Sequence, residues 1–164
     1  MASDVEAEIQ AQVALLARAL VGKGVMLAAA ESCTGGWLAK VCTDMPGSSK
    51  WFERGFVTYT NESKQEMLGV SADTLNSKGA VSEATVNEMA NGVLSHSRAQ
   101  IGVAISGIAG PGGGSEEKPV GTVCFGWSVQ GETTNTERRI FAGDRDEVRA
   151  HAVLHALQGL VGRL

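Results

Sequence analysis

Cysteine is scarce in this chain: Cys33, Cys42 and Cys124 make an odd number and form no Cys-x-x-Cys pair. A disulfide framework is not expected, and reduced thiols in a cytoplasmic setting suit the pattern. Long apolar runs are missing too. Residues 25–30 form the longest apolar stretch near the N-terminus, far short of the roughly 20 residues that a membrane-spanning helix needs. The first twelve residues are polar and acidic, unlike a secretory leader. Positive charge is sparse as well. Fourteen Lys and Arg stand against 18 Asp and Glu, net -4, and no basic run exceeds Arg138-Arg139. A nucleic-acid groove needs clustered cations to replace counterions, so neither a nucleic-acid nor a membrane partner is expected. A single phosphate needs only a few donors and stays compatible.

What is present is ordinary globular material, 43% hydrophobic and 20% charged over 164 residues. That length fits one domain, 1–164. Val5, Ile9, Val13, Leu16 and Leu20 recur at steps of three and four, predicting an amphipathic first helix that ends before Gly22. Residues 25–30 read as a buried strand, 37–41 as a helix, and 55–59 as a strand. Asn61 is placed to cap the next helix. Val86, Met89, Ala90, Val93 and Leu94 mark another helix, entered through Ser82. Residues 101–105 read as a second buried strand, and 122–129 with 136–141 as an antiparallel pair around Gln130-Gly131. Asp144 and Glu147 have capping-box spacing before the last helix. Strands alternate with helices early and follow one another late. The order predicts a single three-layer α/β/α sandwich with a mixed, mostly parallel sheet.

Open α/β sheets gather ligands at strand ends, and three segments fall there. In Glu31-Ser32-Cys33-Thr34-Gly35-Gly36, a hydroxyl at a strand-to-helix junction can be an exposed nucleophile beside anion-attracting amides. Equally, Ser32 or Thr34 can cap the helix while the glycines make the turn. Cys33 has no obvious partner and reads as a small buried residue. In Thr58-Tyr59-Thr60-Asn61-Glu62-Ser63-Lys64, the lysine serves as a base only if burial lowers its pKa; an exposed surface lysine is the alternative. The glycine-rich run from Ser106 through Gly107 and Gly110 can offer an amide nest for an anion or be a plain surface loop. Arg145 adds a guanidinium at a helix start. His151 and His155 stand one turn apart, but nothing completes a ligand set, so no metal and no cofactor are expected.

Read in order, Ala30-Glu31-Ser32-Cys33-Thr34-Gly35-Gly36, Pro46-Gly47-Ser48-Ser49, Gly55-Phe56-Val57-Thr58-Tyr59 with Asn61 and Lys64, Gly79-Ala80-Val81-Ser82-Glu83 and Ser106-Gly107-Ile108-Ala109-Gly110-Pro111 form a distinctive string. With Pro119-Val120-Gly121-Thr122-Val123, it resembles the C-terminal domain of the competence/damage-inducible protein CinA, most of all its stand-alone bacterial amidohydrolase form. The resemblance spans about residues 5–162. It implies hydrolysis of nicotinamide mononucleotide to nicotinate mononucleotide and ammonia, with Ser32 as nucleophile, Lys64 as base and Tyr59 as an accompanying proton relay. It also implies substrate contacts from Glu31, Cys33, Thr34, Gly35, Gly36, Asn61, Ser106, Gly107, Gly110 and Arg145. Relatives often carry threonine where Ser106 stands, which preserves the hydroxyl. The pyrophosphatase-linked N-terminal domain of long CinA proteins has no counterpart here. A non-catalytic pyridine-nucleotide module and an amidohydrolase for another small amide are the alternatives. A homo-oligomer is expected because symmetric assemblies are common.

Overall fold

Side-chain alternation along one strand sorts the interior into two cores. In β1 (Leu27–Glu31) all five residues are buried, and successive side chains leave opposite faces. Leu27 and Ala29 join Ile9, Leu16 and Leu20 of α1 (Ala2–Lys23) and Val153, Leu157 and Leu160 of α6 (Arg145–Val161). Ala28 and Ala30 instead meet Val86, Met89, Ala90 and Val93 of α5 (Glu83–Ser95). The computed structural model describes residues 2–164, and Met1 lies outside the described residues. The remaining elements are α2 (Trp37–Thr43), a 3₁₀ turn (Ser48–Lys50), β2 (Phe52–Val57), α3 (Asn61–Leu68), α4 (Ala72–Lys78), β3 (Ile101–Gly107), β4 (Thr122–Val129) and β5 (Asn135–Ile140).

The sheet runs β2-β1-β3-β4-β5. β2, β1 and β3 are parallel, while β4 and β5 are antiparallel additions. Helices cover both faces, giving the expected three-layer α/β/α sandwich. The two faces differ in bulk. Ile101, Val103, Ile105, Val123, Phe125 and Trp127 fill the space below α1 and α6. The α5 face carries Gly102, Ala104, Cys124 and Gly126, which bring that helix close. A Cβ at Gly126 would run into the Val86 carbonyl, so glycine sets the spacing there. No helix is long and apolar enough to cross a membrane among the described residues.

Several expected boundaries move. The first helix runs through Gly22 to Lys23, because one glycine near a long helix's end weakens it without stopping it. The second strand is Phe52–Val57, leaving Thr58 and Tyr59 beyond its end. β3 continues past Ile105 because Ser106 and Gly107 pair with Cys124 and Val123. Thr60, not Asn61, caps α3: its backbone is extended and its Oγ1 accepts from the Ser63 amide at 3.1 Å. Asn61 is the first helical residue. The Asp144–Glu147 capping box forms as expected.

Candidate active site

The alternation that builds the cores also builds the site. Glu31 points to the α2 side, and the next residue, Ser32, leaves by the opposite face along with Ser106. The Ser32 amide still donates to Ile105 O at 3.0 Å, so the turn begins only after the nucleophile candidate is fixed to the sheet. Glu31 is 1% exposed. Its carboxylate accepts from Thr34 Oγ1 at 2.7 Å and from the Leu38 and Ala39 amides at 2.8 and 3.0 Å. It therefore occupies the positive pole of α2. This corrects two expectations: neither Ser32 nor Thr34 caps that helix, and its first amides do not wait for an anionic ligand. Gly36, in the left-handed region at φ 102, takes the cap position without a side-chain bond.

Opposite Ser32 stands Lys64, carried on α3 from the end of β2. It is 1% exposed. Its Nζ lies 3.0 Å from Ser32 Oγ and donates to Thr58 O at 2.8 Å and Tyr59 O at 3.3 Å. No carboxylate among the described residues pairs with it, and burial pushes its pKa below the usual lysine range. The three partners satisfy both protonation states. An ammonium donates to all three; a neutral amine donates to the two carbonyls and accepts the hydroxyl proton. A proton can thus pass between Ser32 and Lys64 without any side chain moving.

Ser32, Cys33, Tyr59, Lys64, Ala80, Val81, Ser106, Gly107, Ala109 and Arg145 line a cavity of about 210 Å³. Arg145 stands at its mouth, donating from Nη1 to Gly110 O at 2.7 Å and from Nη2 to the Tyr59 hydroxyl at 3.2 Å. Tyr59 is 58% exposed, so its phenol belongs to the rim, whereas its carbonyl holds Lys64. Of the other expected contacts, Glu31 and Thr34 are buried behind the turn and bonded to each other, and Gly35, Gly36, Asn61 and Gly110 do not line the cavity. Burial raises the Cys33 thiol to about 11, so Cys33 stays protonated and is no rival nucleophile at neutral pH. His155 is engaged by Glu137 at 2.9 Å, and His151 Nδ1 lies 2.7 Å from Glu147 O, both away from the cavity.

Two residues carry roles that the sequence reading missed. Arg149 grips the back of the turn after Ser32, Nε to Cys33 O at 2.9 Å and Nη2 to Thr34 O at 3.3 Å. Its spacing of four from Arg145 on one helix face was the available signal. Thr58 is the other. Its carbonyl holds Lys64, but its Oγ1 is buried without a partner among the described residues. An unpaired buried hydroxyl is costly, and valine has nearly the same shape. Thr58→Val is expected to stabilise the fold by about 1 kcal/mol in denaturant unfolding while keeping the site intact.

Comparison with known proteins identifies the family. The chain is 58% identical over 143 residues to nicotinamide-nucleotide amidohydrolase PncC of Escherichia coli strain K12, covering 87% of each chain. The crystal structure of competence/damage inducible protein CihA from Agrobacterium tumefaciens superposes with a TM-score of 0.92 at 43% identity, covering 94% of each chain. The competence damage-inducible protein A (ComA) of Klebsiella pneumoniae gives 0.91 at 43% identity, covering 94% of this chain and 96% of that one. The sequence profile of the CinA C-terminal domain matches residues 8–164. The chain belongs to the CinA C-terminal domain family.

Proposed function

We propose that this chain is an enzyme hydrolysing the carboxamide of nicotinamide mononucleotide to nicotinate mononucleotide and ammonia, with Ser32 as nucleophile and Lys64 as base. The observation that carries the reading is the 3.0 Å approach of Ser32 Oγ to a buried lysine that no carboxylate among the described residues neutralises, at the wall of a small cavity. The activity in the name of the Escherichia coli relative supports the same substrate.

In the proposed reaction, Lys64 Nζ takes the Ser32 hydroxyl proton as Oγ bonds to the amide carbon. The substrate's pyridinium ring withdraws electrons from that carbon. The amide oxygen gains negative charge, which a backbone N–H of the turn after Ser32 receives, worth roughly 3 kcal/mol per donor in such sites. The amide of Thr34 has no acceptor among the described residues and is a free donor, while the Cys33 N–H faces its own thiol sulfur. Lys64 then returns the proton to the leaving nitrogen as the C–N bond breaks and ammonia departs. Water, deprotonated by Lys64, attacks the acyl-enzyme and frees the carboxylate product and the Ser32 hydroxyl. The balance closes without a metal or cofactor. Lys64 alone can carry the proton, so the mechanism uses Tyr59 at the mouth, where it and Arg145 face the nucleotide's phosphate end. Among the described residues Ser106 makes no side-chain hydrogen bond, and it lines the cavity, which leaves its hydroxyl for the carboxamide.

The reading takes the chain as a one-domain cytoplasmic enzyme. Exposed Val57 on β2 and Ile140 on β5, at opposite sheet edges, suit contact with a second copy. The test is to incubate the purified chain with nicotinamide mononucleotide and follow ammonia and nicotinate mononucleotide together. Equimolar appearance of both is expected. Binding without release would leave a nucleotide-binding module. Release from other small amides alone would reassign the substrate.

A further inference from the structure

We propose that Arg149 is a positioning residue that aims the oxyanion-binding amide of the nucleophile turn. The inference rests on the reading of Ser32 as nucleophile and deepens it. Arg149 does not line the cavity; it sits behind the turn, with its guanidinium 5.4 Å from the centroid of the Trp37 ring. Its only acidic contact among the described residues, Asp146 at 3.9 Å, is 88% exposed and thus well screened. Its directed bonds go to the carbonyls of Cys33 and Thr34.

A planar trans peptide points its C=O and N–H in opposite directions. Holding Cys33 O and Thr34 O towards Arg149 therefore turns the N–H groups of Thr34 and Gly35 away from it. The Gly35 N–H closes on Ser32 O at 3.1 Å, which in turn directs the Cys33 N–H away from Gly35. The Ser32 N–H is spent on Ile105 O. Of the turn's remaining amides before Gly35, that of Cys33 faces its own thiol sulfur and that of Thr34 has no acceptor among the described residues. Arg149 thus fixes the Cys33–Thr34 peptide plane, which carries the free Thr34 donor. The rigid fork explains the residue type: two donors in one plane reach two successive carbonyls, which a lysine ammonium does not reproduce.

The test compares wild type with Arg149→Met, Arg149→Lys and Arg149→Ala on nicotinamide mononucleotide. Loosening the turn is expected to lower kcat on the order of 100-fold in all three variants, with KM altered less than about threefold. Added guanidinium ion is expected to recover activity in Arg149→Ala and leave Arg149→Met unchanged. The aldehyde analogue of the substrate, which forms an oxyanion-bearing adduct with Ser32, should bind each variant more weakly in proportion to its kcat. Three results would overturn the proposal: full activity in Arg149→Met, full activity in Arg149→Lys, or a kcat loss with unchanged aldehyde affinity and no guanidinium rescue. The last would mark a general packing role. Wild-type turnover separates the two levels. An inactive wild type overturns the functional reading and this proposal with it, whereas an active wild type beside an active Arg149→Met overturns this proposal alone.

Discussion

Lys64→Met is expected to abolish ammonia release and, at neutral pH, to make the protein harder to unfold. The activity loss follows from removing the proton acceptor beside Ser32, an effect of roughly 10²- to 10⁴-fold for a general base. Lys64→Arg should fail as well, because arginine stays charged at any working pH. The stability gain follows from the direction of the Lys64 pKa, which burial lowers in the folded state. Between that lowered value and the ordinary 10.5 of the unfolded chain, the unfolded state holds more protons, so wild-type stability rises with pH across the window. Below the window the full desolvation penalty persists. The melting advantage of Lys64→Met should therefore be largest at lower pH and shrink as pH climbs towards 10.5. In the wild type, kcat/KM should rise with pH as Lys64 deprotonates, along a limb centred below 10.5. Melting curves and rate profiles over one pH series check both signs. A variant less stable at every pH would show that the amine's three hydrogen bonds outweigh its desolvation.

Ser32→Ala is the second large effect. Turnover should fall on the order of 10³-fold or more, since no covalent intermediate can form. Nucleotide binding should survive, because the other cavity walls and Arg145 are untouched. Cys33, one residue away, will not take over: its thiol, raised to about 11, holds its proton at neutral pH. A coupled ammonia assay measures the loss, and calorimetric titration with the nucleotide measures what remains. Residual activity that disappears on thiol alkylation would show that Cys33 attacks after all.

Much of this was legible in the chain, and unevenly so. Periodicity located the long helices, and residues 122–129 were bounded as the structure has them. The meeting of Ser32 and Lys64 was not readable from local spacing. The two lie 32 residues apart and converge only because β1 and β2 run parallel with their C-terminal ends side by side. The family resemblance supplied that pairing before geometry did. Glu31 was taken for a ligand contact, yet strict alternation already placed it on the face opposite Ser32, where α2 begins. The short helix α4 went unseen because it buries only Leu75 and so carries no apolar rhythm. Arg149 was missed because its bonds go to backbone carbonyls, and only its spacing of four from Arg145 hinted that it shares that helix face.

The three parallel strands end shoulder to shoulder, and each hands over one part: Ser32 after β1, Lys64 after β2, Ser106 on β3. A slip of β1 by a single residue would exchange Ser32 with Glu31 between the two faces, leaving a carboxylate where the hydroxyl should be. No misregistered or half-docked chain can therefore assemble the chemistry. During refolding from denaturant, turnover is the last signal to return, and its time course dates the moment when all three neighbours have locked into alignment.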